Sequence, residues 1–191
     1  TYFGRNDPWR IQGYTAYGFK DDKFKYGISG KWMIDKKNRI IISGGNRRDI
    51  EQIGASLTTS NDVLGRSFAS SGLFMTGDNG KLTNINFSSF EVEIEPLKNF
   101  TISTGITYRT LESASPVFSL DYYKVMPNAQ NPLGVIAGNV KQAETNFQID
   151  YTPNRKTISY GVERDVVDRS FTRVFLNYSN GVKGMFNSDF D

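Results

Sequence analysis

The sequence predicts an all-β protein, an antiparallel up-and-down transmembrane β-barrel, and three observations carry that prediction. Tyr26, Ile28, Trp32 and Ile34 fall on one face of a segment whose other face is Lys23, Lys25, Ser29 and Lys31. This is the period of two that a pleated backbone imposes. The alternation persists for about a dozen residues at a time, roughly twice the ordinary soluble strand and about what a tilted strand needs to cross a bilayer. The connections, finally, alternate between trim turns and long stretches, as in barrels with short periplasmic turns and long external loops.

The first strand is expected over 9–20, with Trp9, Ile11, Thr15, Tyr17 and Phe19 opposite Arg10, Gln12 and Lys20; Asp21 and Asp22 then close a hairpin. The second runs over 23–34 and ends at the turn formers Asp35-Lys36-Lys37-Asn38. A third begins at Arg39 with Ile40, Ile41 and Ile42 and runs out at Gly44-Gly45-Asn46. From about 47 to 80 the pattern fades into Ser, Thr, Asn, Asp and Gly, which reads as a long external loop. Alternation returns over 81–95, where Ile85 and Phe87 stand in one phase and Phe90, Val92 and Ile94 in the other, so a bulge is expected near Ser88-Ser89. After the turn 96–99, Phe100, Ile102, Ile106 and Tyr108 alternate with Thr101, Ser103, Thr107 and Arg109. A second external loop is expected over about 112–141. Three more strands follow, built on Phe147, Ile149 and Tyr151, on Ile158, Tyr160 and Val162, and on Val174, Leu176 and Tyr178.

Composition agrees. Aromatics reach 14% and Gly counts 18 against six Pro, a mixture that favours sheet. Mean hydropathy is −0.46, and no run of about 18 apolar residues suggests a membrane helix, but a barrel meets lipid with alternate residues only and keeps a polar average. The charge of +3, from 23 basic and 20 acidic residues, is too small a surplus to suggest a nucleic-acid partner. Cys and His are both absent, which removes thiolate nucleophiles, disulfides, the commonest metal ligand and the commonest general base. No catalytic, metal or cofactor residue is therefore expected. The first residues carry no signal-peptide pattern, and we expect a mature or trimmed segment, residues 1–191 being one barrel portion.

Several runs resemble a known family. Residues 11–27, from Ile11-Gln12-Gly13-Tyr14 to Lys25-Tyr26-Gly27, the turn Glu95-Pro96-Leu97-Lys98-Asn99-Phe100, Tyr160-Gly161-Val162-Glu163-Arg164 and the closing Gly181-Val182-Lys183-Gly184-Met185-Phe186-Asn187-Ser188-Asp189-Phe190 look like the barrel part of a Bacteroidota family of unknown function. In that family a carboxypeptidase-regulatory-like β-domain precedes an outer-membrane barrel. The resemblance spans nearly the whole chain and implies a Gram-negative envelope location, outer-membrane lipid as partner and no peptidase chemistry. The chain resembles an internal portion of a larger barrel, and its glycine-rich closing segment is distantly similar to barrels that assemble or translocate other envelope proteins.

The candidate lumen-facing polar residues are Lys23, Lys25, Lys31, Glu91, Glu93, Glu95, Glu144, Gln148 and Asp150. Carboxylates lined along a lumen attract cations and sugars, while neighbouring Lys and Arg can balance them instead. Glu144 and Asp150 lie six residues apart on one strand, about 20 Å, too far to share one glycosidic bond. Gly44-Gly45-Asn46-Arg47-Arg48 lacks the following helix of a phosphate loop. Triplets of the form Asn-x-Ser/Thr at Asn86, Asn99 and Asn177 fall in strands and a turn, where chance explains them. Arg47, Arg48, Tyr122 and Tyr123 are the candidate contacts in the loops. The expected function is a non-enzymatic outer-membrane barrel acting in transport or as a scaffold or assembly component of an envelope complex. The alternative is a soluble extracellular β-sandwich that binds glycan or protein.

Overall fold

The computed structural model describes residues 2–3, 6–19, 23–52, 82–114, 119–167 and 170–189. Within them the chain is all-β apart from a single 3₁₀ turn at Met185–Asn187. The strands are β1 (Tyr2–Phe3), β2 (Trp9–Gly18), β3 (Lys23–Asp35), β4 (Ile40–Gln52), β5 (Leu82–Leu97), β6 (Phe100–Ser113), β7 (Tyr122–Val125), β8 (Val135–Ala137), β9 (Asn139–Tyr151), β10 (Thr157–Tyr160), β11 (Glu163–Val166) and β12 (Val174–Gly181). Eight of them form one antiparallel sheet in the order β1-β2-β3-β4-β5-β6-β9-β12, and β7–β8 and β10–β11 are separate hairpins. The sheet is an up-and-down meander. It is open: among the described residues no pairing joins β1 to β12.

Register, set by alternation and held by the ladders, turns the sequence pattern into rows across the sheet. Trp9, Trp32, Ile42, Val92, Thr104, Phe147 and Tyr178 are successive cross-strand partners from β2 to β12. One residue further along, Arg10, Lys31, Ser43, Glu91, Gly105, Asn146 and Ser179 make the corresponding row of the opposite face. A single residue of slip in any pair would exchange the faces of a whole strand.

Four expectations are corrected. The third strand does not run out at Gly44-Gly45-Asn46 but continues to Gln52, so Arg47 and Arg48 belong to the sheet and not to a loop. Gly45 is needed there because a Cβ would stand 2.5 Å from the Ile28 carbonyl oxygen of the neighbouring strand. The bulge expected at Ser88-Ser89 is absent: β5 keeps one register against β4 and β6 through these positions and shifts only between Ile94 and Leu97. Apolar residues simply change face, since Ile85 and its partner Leu111 sit on the side that carries the charges further down. The region 112–141 is not wholly loop, because it holds the β7–β8 hairpin and the start of β9. Residues 53–81, and with them most of the other expected loop, lie outside the described residues, as do Asp21 and Asp22.

The fourth correction matters most for function. Residues 157–164 are not a wall strand, and β12 pairs directly with β9 over Val174–Gly181. Gly161, at φ 58°, takes the left-handed conformation and reverses the chain after four residues, which makes β10–β11 a short hairpin. The two ends of the sheet therefore differ. At the turn end are the connections 36–39 and 98–99 and the 152–167 segment that contains the hairpin; at the loop end are Phe19 and the 119–138 segment.

The tight turns are chemically specified. Asp35 accepts hydrogen bonds from the backbone N–H of Lys37 (2.8 Å) and from the Asn38 side chain (3.0 Å), an Asx turn. Asn99, at φ 62°, occupies the left-handed region that Asn tolerates, donates its N–H to Glu95 Oε1 (2.8 Å) and accepts from Thr152 N–H (2.9 Å). There is little conventional core. The buried apolar cluster is Met33, Ile41 and Val162, where the hairpin tip meets β3 and β4.

Candidate functional site

The two faces of the sheet are chemically opposite. On the apolar face large side chains stand in the open: Trp32 is 60% exposed, Ile28 54% and Phe147 37%. No second sheet covers them among the described residues. Five consecutive rows on this face are mainly apolar, from Leu97, Phe100, Tyr151 and Val174 at the turn end to Ile28, Tyr108 and Ala143. Phe100 and Tyr151 meet edge to face at the turn end, and Tyr17 and Phe19 do so at the loop end. Where a polar residue interrupts the apolar face it is satisfied locally: Asn46 donates to Asn86 Oδ1 (2.9 Å) and Ser88 Oγ (2.8 Å).

The polar face is covered by the β10–β11 hairpin, which leaves β9 and reaches back to β2, β3 and β4. Glu163 Oε1 receives Arg10 Nη1 of β2 at 2.7 Å and Lys31 Nζ of β3 at 3.4 Å. Arg164 Nη1 lies 2.5 Å from Glu95 Oε2 of β5, and Arg39 Nε is 3.8 Å from the same oxygen. Arg39 also donates Nη2 to the Val162 carbonyl at 2.6 Å, while Val162 N–H donates to the Asp7 carbonyl at 3.1 Å. Burial, followed by the neighbouring Arg164 charge, holds the Arg39 guanidinium below its usual range, against the pull of Glu93, Glu95 and Glu163. It stays a cation, as arginine does in proteins.

Between hairpin and sheet is a cavity of about 300 Å³. Its floor includes Ser43, Glu91, Glu93, Ser103 and Gln148, and its roof is built from Val162, Glu163 and Arg164. Side chains from β3, β4, β5, β6 and β9 line one space, so the polar face is the concave one. Of the residues proposed from sequence, Lys31, Glu91, Glu93, Glu95, Gln148 and Asp150 line this cavity. Glu144 lies towards the loop end, in an ion pair with Arg109 (2.5 Å) supported by Gln142. Lys23 and Lys25 are on the same face still nearer that end. The geometry separates Asp150 from Glu144: its partner is Arg173, just before β12.

Residues expected as loop contacts divide. Arg47 is buried in the wall with its guanidinium over the Phe87 ring, and Arg48 is exposed on the apolar face of the wall. Tyr122 and Tyr123 are in β7, as part of the loop-end hairpin. There Lys124 Nζ binds Asp189 at 2.7 Å, which holds that carboxyl below its usual range, and enclosure beside Asp189 pushes the Tyr122 phenol up to about 12. This ties β7 to the segment after β12. Tyr123 is exposed.

Sequence reasoning missed Arg39, Arg155, Glu163 and Arg164 as site residues. The signal was present in the short apolar alternation of Ile158, Tyr160 and Val162, half the span of the other strands, with a glycine at its centre. A model of the C-terminal domain of a family of unknown function, DUF5686, matches residues 1–191. The chain belongs to that family. No curated protein and no solved structure matches it. The DUF5686 C-terminal domain brings no assigned activity, so its function is argued from the two faces and the hairpin.

Gly161 is the most exacting position of the site. A Cβ there would stand 2.1 Å from the Asp7 carbonyl oxygen, on a backbone at φ 58°. Gly161→Ala is expected to cost about 1–2 kcal/mol for the left-handed conformation alone and to lift the tip from Asp7. The check is the urea midpoint together with protease sensitivity between 157 and 166, and an unchanged midpoint with an uncut hairpin would count against this account of the tip.

Proposed function

We propose that this chain forms wall strands of a non-enzymatic β-barrel in the bacterial outer membrane, with the apolar face towards lipid and the polar face lining a lumen that the hairpin closes at the turn end. The observation that carries this reading is the mainly apolar band on the open face, which runs across seven strands with no second sheet over it among the described residues. Four two-residue steps separate its five rows, about 27 Å along the strands at ~3.4 Å per residue. With a strand tilt near 40° that is roughly 20 Å along the membrane normal, comparable with the ~25 Å apolar band of outer-membrane barrels. Exposed apolar area of this extent marks a membrane or protein contact. In lipid, each backbone group must be paired within the protein, which long antiparallel ladders achieve.

Chemistry on the polar face favours a wall over an enzyme. Glu95, Glu144, Asp150 and Glu163 on it are engaged by arginines and a lysine, and the chain contains neither His nor Cys. A hairpin strapped across the lumen suits a scaffold or assembly component, or a transporter that rests closed. The protein is expected to need detergent for extraction and to migrate as a compact band in cold SDS that shifts on boiling. Purification in plain buffer, with no heat shift, would point instead to a soluble extracellular domain that binds glycan or protein. Single-channel recording of the full-length protein separates transport from scaffolding.

A further inference from the structure

We infer that Arg10 and Lys31 form a carboxylate seat on the wall, occupied in this structure by the hairpin's own Glu163, and that β10–β11 is accordingly a displaceable plug rather than a fixed part of the barrel. The inference rests on the lumen reading above. It follows from how the hairpin is held. Its attachment is made chiefly by side chains at its tip: Glu163 to Arg10 and Lys31, Arg164 to Glu95, and Val162 in the Met33 and Ile41 pocket. Backbone bonding to the sheet is sparse. The tip has the Val162 N–H to Asp7 contact and the Arg39 side chain on the Val162 carbonyl, and among the described residues β10 and β11 otherwise pair only with each other.

The contrast with a true wall strand is large. β12, of eight residues, is bonded along its full length to β9, whereas the hairpin lies across strands with which it shares no ladder. Most of its apolar side chains do not help to hold it: Ile158, Tyr160, Val166 and Val167 are exposed, and only Val162 is buried, at 2%. The floor beneath is already polar and spacious, with about 300 Å³ between hairpin and sheet. Removing the hairpin would thus expose mainly hydroxyls, an amide and charges that water can solvate, with Met33 and Ile41 as the apolar part of the surface. Two cations from adjacent strands, Arg10 and Lys31, would be left facing the lumen without the Glu163 carboxylate. An acidic group of another molecule matches that vacancy chemically, because a carboxylate accepts from both donors as Glu163 does.

The test uses the full-length protein, and this chain contributes no cysteine of its own. Val162→Cys reports whether the tip is seated, and Glu163→Gln removes the charge that seats it while conserving shape. Maleimide labelling of Val162→Cys is expected to be slow, and about tenfold or more faster when Glu163→Gln is added or when acetate is raised at constant ionic strength. Equal labelling rates in all three conditions would overturn the inference. A second arm joins Met33→Cys to Val162→Cys with a short bifunctional maleimide and records conductance in planar bilayers: Glu163→Gln should open the pore more often than the parent, and the cross-linked protein should remain silent. A cross-linked protein that conducts like the unlinked one would also overturn it. Labelling needs no bilayer, so a failure of the membrane reading, seen as purification without detergent, is distinguishable from failure of the plug.

Discussion

Phe147→Arg is expected to prevent assembly of the protein in lipid while leaving its neighbour position tolerant. Phe147 lies in the central row of the five on the apolar face, between Thr104 of β6 and Tyr178 of β12. A charge at the midplane of an outer-membrane barrel costs about 2–4 kcal/mol, falling to about 0–1 near the interfaces. On the exposed surface of a soluble domain the same change would fall within about 0.5 kcal/mol. Gln148→Arg, one residue on, points into the cavity beside Glu93 and Asp150, where an added cation meets carboxylates. The measurement is a urea titration of the folded fraction in lipid vesicles, scored by the heat shift in SDS. A Phe147→Arg protein that folds into vesicles as well as the Gln148→Arg protein would remove the lipid-facing assignment.

How much of this was legible in the sequence depends on which physical signal is local. The antiparallel sheet was legible because alternation is written residue by residue: Tyr26 and Ile28 against Lys25 and Ser29 assign two faces without knowledge of any partner strand. The turn at Asp35-Lys36-Lys37-Asn38 was legible for the same reason, since the Asp35 side chain caps its own turn. What could not be read was whether a run of alternating residues joins the wall. Ile158, Tyr160 and Val162 have the right period, but the pairing of β12 with β9 depends on a long-range choice that excludes them. Likewise Gly44-Gly45 suggested a strand end by propensity, and the ladders of β3 and β5 on either side overrode it. The phase change in β5 was visible and its cause misread: Ile85 and Phe87 join the polar face near the loop end, beside Asp49, Arg47 and Arg109, as the pairing of Ile85 with Asp49 and Leu111 records. The polar residues were legible as one face. Their partners were not, because Glu163 and Arg164 approach from a hairpin whose position no local pattern encodes.

The balance of the site turns on Glu95, and its removal is the second large effect. Glu95 is buried; it accepts from Arg164 and from the backbone N–H of Asn99 and is ion-paired with Arg39 at 3.8 Å, so one carboxylate joins the hairpin, the β3–β4 turn and the β5–β6 turn. Breaking a buried ion pair from one side costs about 3–5 kcal/mol because the partner charge remains. Here Arg39 keeps its bond to the Val162 carbonyl and the Arg164 side chain retains some exposure to water, which lowers the expected cost of Glu95→Ala to about 2–4 kcal/mol. Arg164→Ala should cost less, since Arg39 and the Asn99 N–H still satisfy the carboxylate it leaves behind. A double-mutant cycle between the two should therefore show coupling above about 1 kcal/mol, in the range found for directly contacting charged residues. High salt should change it little, because screening acts weakly on enclosed pairs. Additive effects in that cycle, within about 0.5 kcal/mol, would mean that the hairpin is held by its other tip contacts, at Val162 and at the Arg10–Lys31 seat, and that Glu95 serves only its own turn.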